Sequence, residues 1–431
     1  MRRVAHFSRR DFLKRSAGAA AAAATLAAVG PTALLAAPPA GRGAPLVPPG
    51  KVGTILFTQR DAVSRRGIWN NPSPTMGFLG GPDFPGDPTD LGPLVPLPGG
   101  FREVFQFLAA ADYKRIEFAG YNQNSNNVGG SAPSPAPGGV TTPESRAAYV
   151  AYGQTLRGFL DEFGLEAVGN HGFIPQSWPG PGSPGGVMSV QDHNRFQAEL
   201  EFAATLGMEH MGTGGDPTGA RDKEAWDLAA EKWTALNGLA RAWGIRIYPH
   251  NHADAYNFLQ DGPLVEVTVD RFSGEPLTTP QLVRGESGMR LMEYYFQITD
   301  EATCPAEIDI YWAFVAQHRF RWYYDWNGQR QDSVFDPLAL VAAQPRRFPL
   351  YHAKDGQRTT QPPGVGNGYN IIPFQVPESD IDYVTFFRDD GPRGFHSPNY
   401  EQDNAPGGGS DPGQSLRFSK LSSANMLAMR G

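Results

Sequence analysis

From Lys51 onward, short apolar runs alternate with longer segments of helical periodicity. Residues 53–58 form an apolar run of strand length, and residues 101–108 then carry apolar side chains at i, i+3, i+4 and i+7, the spacing of one helix face. Both patterns recur to the end of the chain. Further strands are predicted at 115–118, 166–168, 208–211, 245–248, 306–310, 348–351 and 398–400, and further helices at 156–163, 196–206, 236–243, from 336 onward and at 414–429.

This alternation predicts an α/β fold with a parallel sheet that closes into a (β/α)₈ TIM barrel. An open doubly wound sheet is the alternative, but it usually carries a glycine-rich phosphate loop after its first strand, and the sequence has none there. Long segments that show neither the strand pattern nor the helical periodicity are expected to be βα-loop insertions that surround the barrel mouth. They span residues 66–100, 122–143, 175–186, 259–280 and 356–379.

The first residues have the pattern of an export signal. Residues 8–14 read S-R-R-D-F-L-K, the pattern of a twin-arginine signal, and an alanine-rich stretch follows from Ala17 to Ala37. Its many alanines make it a poor membrane span, so we expect cleavage between Ala37 and Ala44 and no stable membrane insertion afterwards. The sequence therefore predicts a signal and linker at 1–45, a barrel at 46–431, and export through the twin-arginine machinery to the periplasm or cell exterior.

Charge and cysteine content narrow the class of protein. The formal net charge is −7, and the chain has no basic run outside the signal, which argues against nucleic acid as a partner. Cys304 is the only cysteine, so no intramolecular disulfide can form in the exported protein. We expect stability to come from the core, for which an aromatic content of 11% supplies ample material.

Histidines and acids collect where the predicted strands end. Chemistry in TIM barrels takes place at the carboxyl ends of the strands, so side chains at those positions are candidates for a functional site. The histidines at or just after predicted strand ends are His171, His210, His250, His252 and His352, and the acids in equivalent places are Glu117, Asp309 and Glu401.

Four segments together resemble a known family. Residues 248–252 read Y-P-H-N-H, 307–312 read E-I-D-I-Y-W, 347–355 read R-F-P-L-Y-H-A-K-D, and 399–403 read N-Y-E-Q-D. In this order they resemble the motifs after strands five to eight of the xylose-isomerase-like sugar isomerases and epimerases, a family that includes inosose-dehydratase-like proteins.

The resemblance implies one divalent metal ion at the barrel mouth. Carried over onto this sequence, its ligands are Asp309, His352 and Glu401, and the fourth position, often a glutamate in the family, is His250 here. Mixed carboxylate and imidazole ligation suits Mn²⁺, Zn²⁺, Co²⁺ or Fe²⁺.

The resemblance also implies proton abstraction next to a carbonyl of a sugar, keto-sugar or cyclitol. Glu401 and His250 are the expected acid–base groups, and Lys354 could neutralise a developing enolate. With His250 in place of a glutamate, the second base is His250, Glu117 or absent, and an absent base favours a lyase over an epimerase. The predicted substrate-binding residues are Glu117, His171, His210, His252 and Trp312.

Other functions stay open at this point. The His250 substitution is also compatible with a non-catalytic, exported barrel that binds carbohydrate or metal. The family includes endonucleases with three zinc ions, but an acidic chain without a basic groove argues against that activity. Asp309 could instead pair with Lys354 or Arg347 in a structural network, and His352 could be a hydrogen-bonded core histidine.

Overall fold

The computed structural model describes the chain from Gly43 to Gly431 with several gaps. The described residues are 43–63, 78–79, 95–96, 99–121, 142–183, 185–344, 346–389, 397–406 and 413–431. The predicted signal lies outside these ranges, as does most of the predicted insertions 66–100 and 122–143.

Eight short parallel strands form a closed barrel. They are β1 (Gly53–Ile55), β2 (Arg115–Phe118), β3 (Glu166–Asn170), β4 (His210–Gly212), β5 (Arg246–Tyr248), β6 (Glu307–Asp309), β7 (Leu350–Ala353) and β8 (Ser397–Tyr400). Six of them pair in the order β6-β7-β8-β1-β2-β3, and β4 pairs with β5. Single parallel bridges, His171 to Gly212 and His250 to Glu307, join the two groups. The predicted (β/α)₈ barrel is confirmed.

Nine described helices accompany the strands: α1 (Phe101–Ala110), α2 (Pro143–Phe163), α3 (Val190–Leu206), α4 (Lys223–Ala240), α5 (Leu291–Ile298), α6 (Ile310–Arg319), α7 (Pro337–Ala343), α8 (Tyr383–Asp389) and α9 (Gln414–Ala428). Side-chain caps mark the starts of α2, α3, α4, α6 and α7, as where Ser189 accepts a hydrogen bond from the Asp192 backbone N–H. Glycines in the left-handed conformation, Gly164 and Gly207, end α2 and α3.

Polar side chains fill much of the barrel interior, where branched aliphatic residues are usual. Tyr248 crosses the interior to Glu117, and small residues make room for it. A methyl group at Gly212 would overlap the Tyr248 ring, and one at Gly169 would lie 2.8 Å from both the Tyr248 hydroxyl and Leu350 Cδ1. Glycine at positions 169 and 212 thus leaves the space that the Tyr248 side chain occupies inside the barrel.

The insertions near the mouth contain structure that the sequence pattern did not predict. Antiparallel hairpins occupy Leu264–Val269 with Pro276–Arg284, and Asp355–Arg358 with Tyr369–Ile372. A third pairs Trp322–Tyr324 with Arg330–Asp332. Within the described ranges, no helix combines the length and apolar character needed to cross a bilayer.

Candidate metal centre

Three buried side chains meet at the carboxyl ends of adjacent strands. Asp309 ends β6, His352 lies on β7 opposite it, and Glu401 follows β8. Their exposed fractions are 0%, 0% and 4%. The Asn251 side-chain amide accepts a hydrogen bond from the Asp309 N–H and donates one to the Asp309 carbonyl, which fixes the end of β6. Asp309 Oδ1 caps α6 by accepting the Trp312 N–H, and this leaves Oδ2 facing the centre.

His352 and His250 each turn one ring nitrogen toward these carboxylates and the other toward the barrel interior. His352 Nδ1 is 2.8 Å from Glu401 Oε2, whereas its Nε2 is 3.0 Å from Glu117 Oε2 and 3.2 Å from Glu307 Oε1. His250 Nε2 is 3.8 Å from Asp309 Oδ2, and its Nδ1 is 3.1 Å from Glu307 Oε2. Carboxylates behind metal-binding histidines fix ring orientation and tautomer in the same way.

The donor atoms fit a divalent cation. Buried Asp309 Oδ2 and Glu401 Oε2 have Lys354 Nζ at ion-pair distance, and His352 Nδ1 faces Glu401 Oε2; apart from these contacts, the three atoms have no hydrogen-bond partner among the described residues. Ligand atoms of these three residues lie within 4.8 Å of one another. A divalent cation between these atoms would balance the buried carboxylate charges and bind the lone pair of His352 Nδ1.

A second set could also surround an ion: His171, His250, Glu307 and His352. It lies deeper, and most of its atoms already bind each other, since Glu307 Oε2 is 2.7 Å from His171 Nε2 and 3.1 Å from His250 Nδ1. The outer set therefore fits a metal better, and the inner set fits the role of its support.

Lys354 lies beside the same carboxylates. Its Nζ is 2.8 Å from Asp309 Oδ2, 2.7 Å from Glu401 Oε2 and 3.1 Å from Asp403 Oδ1. Burial alone would lower the pKa of Lys354, but the three carboxylates outweigh it and hold the pKa well above its usual value. Burial would raise the pKa of Glu401, but Lys354 and His352 hold it well below its usual value. Lys354 thus stays protonated and Glu401 stays ionised.

Glu117 lies beneath the centre and does not face the mouth. Its carboxylate accepts hydrogen bonds from the Tyr248 hydroxyl at 2.6 Å and from Asn399 Nδ2 at 2.7 Å, besides its contact with His352. Burial and the neighbouring Glu307 carboxylate raise the pKa of Glu117. This fully buried side chain supports His352 from below, and the expected substrate contact at Glu117 stays a prediction.

Two further histidine expectations meet different outcomes. His210 begins β4 at the amino-terminal face, so its predicted position at a strand end facing the mouth is wrong. Its Nε2 is 2.7 Å from Arg246 Nη2, at the opposite end of the barrel from Asp309. His252 is exposed at the mouth, its ring 5.2 Å from that of His250 and 5.5 Å from that of Trp312, in the region expected for substrate contact.

The sequence analysis missed two acids of this centre. Glu307 contacts His171, His250 and His352, although only its neighbour Asp309 was assigned a role. Residues two apart on a strand face the same side, so the E-I-D sequence of β6 was a signal for it. Asp403 lies within ion-pair distance of Lys354, and its side chain is 30% exposed toward the mouth.

The fold and the centre define a TIM barrel with a buried cluster of histidines and carboxylates suited to a metal at its mouth. The profile of the xylose isomerase-like TIM barrel family matches residues 105–389, and the chain belongs to that family. No curated protein sequence matches the chain at a significant level.

Several solved structures are similar to the chain at low sequence identity. A sugar phosphate isomerase/epimerase from Parabacteroides distasonis is 16% identical, with 75% of this chain and 88% of that chain covered and a TM-score of 0.46. A xylose isomerase-like TIM barrel protein from Mycobacterium smegmatis in complex with magnesium is 11% identical over 88% and 95% of the two chains, with a TM-score of 0.42. A probable 3-DHS dehydratase of petrobactin synthesis from Bacillus anthracis is 9% identical over 87% and 97%, with a TM-score of 0.43.

Proposed function

We propose that this protein is a divalent-metal-dependent enzyme that moves a proton next to a carbonyl of a sugar, keto-sugar or cyclitol. The observation that carries the proposal is the convergence of three buried ligand atoms, one each on Asp309, His352 and Glu401, within 4.8 Å of one another at the barrel mouth. With His250 Nε2 as the fourth donor, the set offers two imidazoles and two carboxylates. That composition suits Mn²⁺, Zn²⁺, Co²⁺ or Fe²⁺.

A cation held there would bind substrate oxygens and polarise the carbonyl, which acidifies the adjacent C–H. Lys354 keeps its proton, and its positive charge beside the centre would offset negative charge that develops on the substrate oxygen. Glu401, ionised beside Lys354, accepts the proton from carbon. Trp312 and His252 form an aromatic edge of the mouth against which an apolar sugar face can pack.

The second proton carrier decides between isomerase or epimerase and lyase. His250 is neutral, because burial lowers its pKa well below the usual value, and its Nδ1 is engaged by Glu307. Asp403 is the more accessible base, with a carboxylate at the mouth whose pKa is raised by burial. If Asp403 carries a proton of its own and donates it to the opposite face of the same carbon, the product is an epimer, and Glu401 keeps the proton that it removed. If Asp403 donates that proton to a departing hydroxyl instead, water is released and the reaction is an elimination.

Metal analysis of the purified protein, followed by proton exchange in D₂O, tests the proposal. We expect about one Mn, Zn, Co or Fe per chain, lost in Asp309→Ala and His352→Ala and retained in the exposed control Glu266→Ala. The metal-loaded protein should introduce deuterium next to the carbonyl of a member of a panel of free keto-sugars and keto-cyclitols. A protein that binds no metal after incubation with Mn²⁺ or Zn²⁺ contradicts the mechanism, and metal binding without exchange on any substrate supports a binding protein instead.

Export is a second part of the proposal, supported by the twin-arginine pattern at residues 8–14. Fractionation of cells that make the full-length chain should recover a shortened protein outside the cytoplasm. The Arg9→Lys, Arg10→Lys double variant should stay inside at full length. Equal distribution of the two proteins would contradict export by this route.

A further inference from the structure

A second cavity, of about 360 Å³, opens at the amino-terminal face of the barrel, the end remote from the metal centre. Six of the eight strands contribute their first residue to it. These residues are Arg115, Glu166, His210, Arg246, Leu350 and Ser397. Its volume lies within the range of small-molecule sites, and its wall carries guanidinium groups where barrels usually have aliphatic side chains.

Arg246 makes no ion pair with a carboxylate of the described residues. Its Nη2 is 2.7 Å from His210 Nε2, and no carboxylate of the described residues lies within ion-pair distance of it. His210 is neutral, since burial and Arg246 lower its pKa to about 3, so its ring accepts the hydrogen bond and offers no countercharge. A guanidinium in this position retains most of its capacity to bind an anion.

Arg115 adds a second donor on the facing strand. Its Nη1 donates to Ser397 Oγ at 2.6 Å, while its buried Nε makes no hydrogen bond within the described part of the chain. The nearest acid, Glu166, lies 3.5 Å from Nε, but its side chain is 70% exposed. Such an exposed ion pair is weak and can be displaced by a ligand in the cavity. At the rim, Arg157 is held by Asp161 and Glu209 is exposed, so neither acid reaches Arg246.

Tyr248 separates this cavity from the metal centre. It lies two residues after Arg246 on β5, packs over Gly212 and donates to Glu117 in the layer between the two ends. A ligand in the cavity is therefore distinct from a substrate at the mouth.

We propose that this cavity is a binding site for a small oxyanion, a molecule with a carboxylate, phosphate or sulfate group held between Arg246 and Arg115. Guanidinium groups bind such anions through paired, charge-assisted hydrogen bonds. Calorimetric titration of the full chain at low ionic strength with inorganic phosphate, sulfate and malonate tests it. We expect saturable binding of one anion per chain for at least one of the three.

Matched arginine variants assign the site. Arg246→Met keeps the aliphatic stem and should weaken binding about 10-fold or more, and Arg246→Lys should weaken it less because the charge remains. Arg284→Met, on the hairpin after β5, is the control and should bind like wild type. Arg115→Lys replaces Arg246→Met if circular dichroism shows that the latter does not fold, and it should also weaken binding. Absence of saturable binding, or equal weakening in Arg284→Met, overturns the proposal.

The result is independent of the proposed enzyme activity. Asp309→Ala should lose its metal and keep its anion affinity, because the two sites share no residue. An anion that binds only where metal is retained would place the anion at the mouth and overturn the second site.

Discussion

His352 is in contact with acids on both sides of its ring. Glu117 and Glu307 approach Nε2, and Glu401 approaches Nδ1. Burial opposes a charge on this ring, but the surrounding carboxylates raise its pKa well above the usual value. Because a cation at Nδ1 requires a free lone pair there, the proton belongs on Nε2, where two carboxylates accept it. Glu117 and Glu307 thus favour the tautomer of His352 whose Nδ1 lone pair is free to bind a metal.

Substitution of Glu307 tests whether the carboxylates beneath the histidines support metal binding. Glu307→Gln removes the charge that holds His250, His171 and His352, and we expect metal affinity to fall about 10- to 100-fold, as for other carboxylates behind metal-binding histidines. Titration with Mn²⁺ or Zn²⁺ against a competing chelator measures the change, with the exposed Glu266→Gln as control. Unchanged affinity in Glu307→Gln would show that the histidines are oriented without it.

At the scale of single residues, the sequence predicted which side chains lie at the carboxyl ends of strands. The positions of Asp309, His352 and Glu401 could be predicted, because each belongs to a motif of several residues and lies at a strand end. His210 could not be placed, since a two-residue shift of a three-residue strand moves a side chain from one end of the barrel to the other. The contact of Glu117 with His352 could not be predicted, because sequence spacing does not give depth along the barrel axis.

Strands of three residues leave little margin for change in side-chain size. The ring of Tyr248 on β5 lies directly over Gly212 on β4, and the Tyr248 hydroxyl donates a hydrogen bond to Glu117. Any side chain at Gly212 must displace this ring and so disturb the layer on which the metal centre rests.

Gly212→Ala should lower the free energy of unfolding by about 1–3 kcal/mol through overpacking. Metal affinity should fall with it, because Tyr248 no longer orients Glu117. Urea unfolding and metal titration measure the two effects. Gly238→Ala is the matched control: this glycine is exposed on α4 with open space around its Cα, and alanine there should raise stability by about 0.5–1 kcal/mol. Equal effects of the two substitutions would contradict the close approach.

The contact between α2 and α3 contains a titratable group. Glu199 accepts a hydrogen bond from the Tyr149 hydroxyl at 2.9 Å, and burial raises its pKa to about 7. The folded state therefore holds this proton more tightly than the unfolded chain. The stability it contributes is complete below about pH 4.3, the ordinary glutamate pKa, and is lost as the pH rises through 7.

Glu199→Gln should remove this component. We expect the variant to be more stable than wild type at pH 8 by on the order of 1–2 kcal/mol and to show a flatter profile between pH 5 and 8. Urea unfolding over that pH range measures it, with Glu266→Gln as the control. Parallel profiles for wild type and Glu199→Gln would show that the carboxylate is already solvated in the folded protein.

Helices and barrel strands were predictable for local reasons, and the hairpins were not. The helices carry caps and apolar stripes, as in α3, which begins at Ser189 and ends at Gly207. Strand Pro276–Arg284 is exposed or half-buried along its whole length, so its sequence shows no alternation of apolar and polar residues. Buried Glu286, two residues after this strand, contacts Arg221, Arg271 and the Tyr324 N–H, and sequence spacing does not predict contacts with residues so distant along the chain.

In the whole molecule, the start of the described chain lies against its end. Pro45 bridges Arg430, the Leu46 N–H donates to the Met429 carbonyl at 3.2 Å, and Val47 is 2% exposed. Thus Pro45, which lies just before the predicted start of the barrel at residue 46, already contacts the last residues of the chain.

Truncation tests where the folded unit begins. Removal of residues 1–42 should leave stability and metal affinity unchanged. Removal through Val47 should lower the free energy of unfolding by about 2 kcal/mol, because the Val47 side chain is no longer buried against the core. Urea unfolding of the two proteins compares them, and equal stability would place Val47 outside the cooperative unit.

The polar interior has a consequence for engineering. Buried ion pairs are often replaced by apolar residues of similar volume with a gain in stability. Four of the fully buried charged residues, Glu117, Glu307, Asp309 and Lys354, belong to the metal centre or its support. A selection for heat resistance alone would therefore favour apolar substitutions there and yield stable proteins that have lost the centre. A search for stable variants that keep the centre has to be confined to the outer helices and hairpins.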